Sequence, residues 1–176
     1  ASEINMKLYT AKIPTIARDV IKELTNNGQI EVASREEAEL DIQSVLREYV
    51  RTDRELTEKA KDLVEQRGLS HGSFVKIKQT LAEEKDFGFG EEGIVWMINQ
   101  ILETFMQSRF IEEIYASDAE MRKAMKVIFG RHMMVDEELD VEVRRRIKNL
   151  QEGTSNWDIE YSKVMDQIRH NRGLKQ

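Results

Sequence analysis

The chain has 176 residues, 40% of them apolar and 34% charged, and its 27 basic and 33 acidic side chains leave a net charge of −6. That length makes one domain or two small ones, and the acidic balance argues against a protein that coats duplex DNA, which needs a basic excess. The chain has no cysteine, so disulfides, thiolate nucleophiles, cysteine-held zinc and iron–sulfur clusters are excluded.

Apolar runs are only a few residues long and the start of the chain lacks the pattern of a signal peptide, so the expected place is the cytoplasm, with no membrane partner. The single proline, Pro14, leaves long stretches free to be helical. Met6 begins a Met-Lys-Leu-Tyr start, and residues 1–5 before it read as an appended remnant.

The first helix is expected to open near Pro14, a residue favoured in a first turn. Ile13, Ile16, Ala17, Val20, Ile21 and Leu24 recur at helical spacing, and Asn26-Asn27-Gly28 ends them. A short extended piece with Ile30 and Val32 follows. Ser34-Arg35-Glu36-Glu37 is a capping box, with a hydroxyl for an early amide and an acid reaching back. It opens a second helix carrying Ala38, Ile42, Val45, Leu46 and Tyr49. Thr52-Asp53-Arg54-Glu55 reads as another box, opening a third helix with Leu56, Ala60, Leu63 and Val64 that ends at Gly68. Ser73 is the expected cap of a fourth, with Phe74, Ile77 and Leu81 inside.

Shifted by about eighty residues, the pattern returns. The apolar stripe from Ile13 to Leu24 falls on Ile94, Met97, Ile98, Ile101, Leu102 and Phe105. Ile30 falls on Ile111. With two residues inserted, Ser34 to Glu37 falls on Ser117-Asp118-Ala119-Glu120, and Asp53-Arg54-Glu55-Leu56 on Asp136-Glu137-Glu138-Leu139. The expectation is an all-α chain of two tandem pseudo-repeats, residues 6–87 and 88–176, of about four helices each, packed as one compact body. Asp86-Phe87-Gly88-Phe89-Gly90 is the hinge between them.

Motifs of chemistry are sparse. Gly88-Phe89-Gly90-Glu91-Glu92-Gly93 spells G-x-G-x-x-G, but a helix precedes it and two glutamates sit where a pyrophosphate would lie, so no dinucleotide is expected. His71, His132 and His170 lie far apart, and no nucleophile elbow is present. No catalytic residue, cofactor or metal ligand is assigned. Three surfaces stand out instead. Trp157 and Tyr161, one helical turn apart, either anchor the last helix or form an aromatic hot spot for a partner. Met133 and Met134 are adjacent, and a methionine surface accepts varied partners. Arg144, Arg145, Arg146 and Lys148 form the densest basic cluster and would be the place for nucleic-acid phosphates.

Met6-Lys7-Leu8-Tyr9 near Lys12-Ile13-Pro14, Gly28-x-Ile30-Glu31-Val32, Asp53-Arg54-Glu55-Leu56, Ala60-Lys61-Asp62-Leu63-Val64-Glu65, Gly88-x-Gly90-Glu91-Glu92, Val135-Asp136-Glu137-Glu138-Leu139 and the Trp157 segment together resemble a bacterial family of unknown function, domain family 507. The resemblance runs from Met6 to Leu174. It implies a stand-alone cytoplasmic protein and brings no activity with it. The expected function is a non-enzymatic helical interaction protein, an adaptor or assembly factor, with protein partners or further copies of itself. The alternatives are nucleic-acid association through the Arg144–Lys148 face and, third, a metal-dependent enzyme using scattered carboxylates.

Overall fold

The computed structural model describes residues 4–173, with side chains from Met6 onward; of the expected remnant, Ala1 to Glu3 lie outside the described residues. Strand β1 (Ile4–Met6) and a 3-10 turn (Thr10–Lys12) lead into α1 (Ile13–Asn26). Then follow β2 (Ile30–Val32), α2 (Arg35–Gln66), α3 (Ser73–Glu83), α4 (Glu91–Gln107) and β3 (Ile111–Ile114). The chain closes with α5 (Asp118–Met133), β4 (Met134–Asp136), α6 (Glu137–Arg146) and α7 (Ser155–Asn171). The described residues are therefore mostly helical, with two short antiparallel ribbons: β1 pairs with β4, and β2 with β3.

The helix starts follow local chemistry. Pro14 sits in the first turn of α1, and all six apolar residues of its stripe are buried. The Ser34 hydroxyl accepts the Glu37 amide at 3.3 Å, and the Ser117 hydroxyl accepts that of Glu120 at 3.2 Å. Each satisfies one of the amides a helix start leaves open.

The box at Thr52 does not act as one. Helix α2 runs 32 residues without a break, so residues 6–87 hold three α-helices rather than four. Nothing before Thr52 forces the backbone out of helical geometry, since neither glycine nor proline occurs between Ser34 and Gly68. The buried positions Ile42, Leu46, Tyr49, Leu56, Ala60 and Val64 also form one stripe across the box, so a single helix buries them all. At Ser73 the cap residue is Gly72, and no side chain closes the helix start.

The apolar side chains divide into two cores. The larger gathers α1, α2, α4 and α5, with Leu8 and the ends of α3 and the hinge. The smaller joins Tyr9, Val135, Leu139, Val143, Ile147, Trp157, Tyr161, Met165 and Ile168, all but the first from the last forty residues or so of the chain. Helices α6 and α7 thus form a hairpin with its own interior, tied to the rest by the first dozen residues.

At the hinge, Gly90 adopts φ +61° as the cap of α4, a conformation that costs other residues strain. Gly93 faces the Tyr49 hydroxyl so closely that a Cβ there would lie 2.3 Å from it. Tyr49 in turn donates to the Gly88 carbonyl at 3.1 Å. The glycines that spell a nucleotide motif are thus accounted for by packing between α2 and α4.

Candidate functional site

A groove of about 580 Å³ lies where the two cores meet. One wall is the middle of α2, from Tyr49 to Lys61, with Phe74 and Lys78 of α3 and Phe89 of the hinge. The other is Met6-Lys7-Leu8 with the loop 151–154 and Trp157 at the start of α7. Four cations line it, Lys7, Arg54, Lys61 and Lys78, and four carboxylates, Asp53, Glu58, Glu152 and Asp158.

These charges hold one another. Lys78 Nζ lies 2.6 Å from Asp53 and 4.4 Å from the centre of the Phe89 ring. Arg54 bonds Asp158, which also accepts the Thr10 hydroxyl at 2.7 Å. Asp158 is buried, so these partners supply what water would otherwise provide. Lys7 Nζ reaches Glu152 at 2.8 Å and sits 4.7 Å from the Trp157 ring centre.

Glu152 is the junction of this wall. Arg144 grips it with two nitrogens, at 2.9 and 3.2 Å, and Lys7 adds a third contact. Partial burial alone would raise its pKa, but the bonds from Arg144 and Lys7 outweigh that and pull it down to about 2. Burial works against the charge on Arg144 too, and its bonds to Glu152 and Asp140 more than restore it, so its pKa is raised. Beneath them Tyr9 stacks on Tyr161 with ring centres 4.2 Å apart, and Trp157 stacks on Tyr161 at 5.0 Å. Tyr161 donates to Asp140, and burial pushes the pKa of both tyrosines up.

The expected site residues distribute unevenly. Trp157 and Tyr161 are 3% and 1% exposed and Met133 1% exposed, so all three are core residues, of which Trp157 and Met133 also border the groove. Met134 alone of that set is open, at 44%. In the basic cluster, Arg144 is held by Asp140 and Glu152, and Arg146 by Glu142 at 2.8 Å. Arg145 and Lys148 are exposed and form no ion pair with a described residue. The cluster therefore offers two free cations, not four.

Lys7 and Tyr9 were missed as site residues. Their signal is the alternation Lys7-Leu8-Tyr9, which in extended chain sends Leu8 to one side and its neighbours to the other. Three residues are too few to read that way without knowing what they face.

Among the described residues no three His, Asp or Glu side chains gather as metal ligands would. His132 pairs with Asp19 at 2.7 Å, joining α5 to α1, while His71 and His170 are exposed. No helix of the described residues is long and apolar enough to cross a membrane.

Fold and groove together define a mostly helical protein with two interiors and a charge-balanced cleft between them. Residues 6–174 match the family described as protein of unknown function (DUF507), and the chain belongs to that family. No match was found among curated proteins.

Proposed function

We propose that the protein is a non-enzymatic interaction protein whose groove receives a segment of a partner protein. One observation carries this reading: the groove pairs an aromatic lining with four cations and four carboxylates in balance. A polypeptide of mixed polarity meets such a surface on equal terms. A phosphate backbone needs a surplus of cations, which this cleft lacks. The volume suits a few side chains rather than a folded domain.

A duplication of the chain belongs to the same reading. It is supported by the two connectors that the repeat pattern brings into correspondence, β2 and β3, which pair antiparallel with each other, an arrangement an approximate two-fold relation between halves allows. A helical pair of halves with divergent ends is a reasonable base for an adaptor.

The test is a tagged pull-down from the source organism, with and without nuclease, read by mass spectrometry and repeated with Thr57→Trp, which fills the groove. A partner that survives nuclease and is lost with Thr57→Trp supports the reading. Partners that vanish with nuclease would move it to nucleic acid. A reproducible turnover of a defined small substrate, or a stoichiometric metal in the purified protein, would favour an enzyme.

A further inference from the structure

Beyond its first turn, α5 has cations and no acid: Arg122, Lys123, Lys126, Arg131 and the histidine His132 lie between Met121 and Met133. Lys123, Lys126 and Arg131 fall on its exposed side with Val127, which is 64% exposed. Helix α1 extends this face. Asp19 of α1 is the single carboxylate shared by Arg18 at 3.7 Å, Arg131 at 3.7 Å and His132 at 2.7 Å. Lys22 stands one turn beyond Arg18. Lys22, Lys123 and Lys126 form no ion pair with any described residue, unlike the cations of the groove.

The ribbon that leads into α5 has the opposite character. Glu31 of β2 and Glu113 of β3 are register partners, and Glu112 adjoins them. Like charges directly opposite on a ribbon repel. All three are exposed, and among the described residues the only side chain bonded to them is the Tyr115 hydroxyl, which donates to Glu31 at 2.9 Å and leaves its own ring 66% exposed.

We propose that the α1–α5 face docks a second copy of this chain, its cations Lys123, Lys126 and Arg131 meeting the Glu31, Glu112 and Glu113 ribbon of that copy. Each patch supplies the charge the other lacks, and each carries an apolar side chain, Val127 and Tyr115, to exclude water from the contact. Only Tyr115-Ala116-Ser117 separate β3 from α5. With both patches so close on one chain, a two-fold axis between them lays each on its opposite twice, a closed and self-complementary arrangement. A nucleic acid would gain from the α5 cations but would be repelled by the adjoining ribbon, so it fits the face less well. The dimer does not rest on the groove or its occupant.

Sedimentation velocity over a concentration series, at low and high salt, tests it. Wild type is expected to dimerise at low salt and to weaken as salt screens the contacts. Lys123→Glu/Lys126→Glu and Glu112→Lys/Glu113→Lys are each expected to weaken dimerisation at least tenfold, with unchanged circular dichroism because all four side chains are exposed. Mixing the two variants restores the dimer, because both contacts are then complementary again. A wild type that stays monomeric at every concentration in low salt overturns the proposal. So do variants that dimerise like wild type, or a mixture that fails to recover. If a variant does not fold, the salt dependence of the wild-type dimer decides, and a salt-independent one counts against it.

Discussion

Leu8 and Tyr9 are consecutive in the chain but buried in different cores, Leu8 in the larger one and Tyr9 in the smaller, against Trp157 and Tyr161. Extended backbone turns successive side chains to opposite sides, so two neighbouring residues fasten the α6–α7 hairpin to the body. Tyr9→Ala is expected to cost about 3–5 kcal/mol, the range for removing a buried aromatic ring, and to raise amide exchange in α6 and α7 well above that in α1 and α2. Uniform loss of protection across the chain would show that the hairpin has no separate stability.

Glu152 links the same segment to the hairpin by charge. Its carboxyl titrates near 2 in the folded chain, below its ordinary value of 4.5. A depressed folded pKa contributes stability that is complete above the unfolded value and lost as pH falls through the folded one. Stability should therefore decline between pH 4.5 and about 2, and Glu152→Gln should flatten that part of the curve. Because Glu152 is half exposed, solvent screening keeps the effect modest. Thermal melts of both proteins across this range would measure it, and parallel curves would remove Glu152 as a contributor.

Two hydroxyls that cap helices and one that does not make a direct comparison. Ser34→Ala and Ser117→Ala should each cost about 1 kcal/mol, the usual worth of such a cap. Thr52→Ala, inside the uninterrupted α2, should stay within about 0.5 kcal/mol of wild type, as alanine also suits a helix interior. Urea denaturation of the three variants separates these cases.

Two glycines should respond in opposite directions to a single methyl group. At Gly130, inside α5, a Cβ would meet nothing within 4 Å, so Gly130→Ala should stabilise by about 0.5–1 kcal/mol through the lost backbone freedom of glycine. At Gly93 the same group runs into the buried Tyr49 ring, and Gly93→Ala should destabilise by about 1–3 kcal/mol as in other overpacked cores. Melting temperatures of the pair give the sign of each directly.

Much of the fold is legible along the chain because it depends on neighbours three or four residues apart. The stripe of α1, its proline start, the Ser34 and Ser117 caps and the glycine turn at Gly90 all lie where spacing and residue type place them. The groove is not legible. Its walls come from the beginning, middle and end of the chain, and the pairs that define it, Lys7 with Glu152 and Arg54 with Asp158, join residues more than a hundred positions apart. In the basic cluster the pair Arg146 with Glu142 is legible, since the two lie four residues apart on one helix, whereas the grip of Arg144 on Glu152 depends on how the loop after α6 folds back.

The sharpest contrast lies between Asp53 and Asp136. Both precede a glutamate-bearing, leucine-bearing turn, and the letters alone start a helix at each. At Asp136 one does start, its carboxylate accepting the Glu138 and Leu139 amides after β4 has paired with β1. At Asp53 the helix runs through, and none of the strands among the described residues pairs there to draw the backbone into extended form. Helical periodicity, caps and the apolar stripes are written in short-range contacts, and the residues alone were enough for those. Where a helix yields to a strand, which aromatic ring is buried and which cations stay free follow from contacts that form only when distant segments meet.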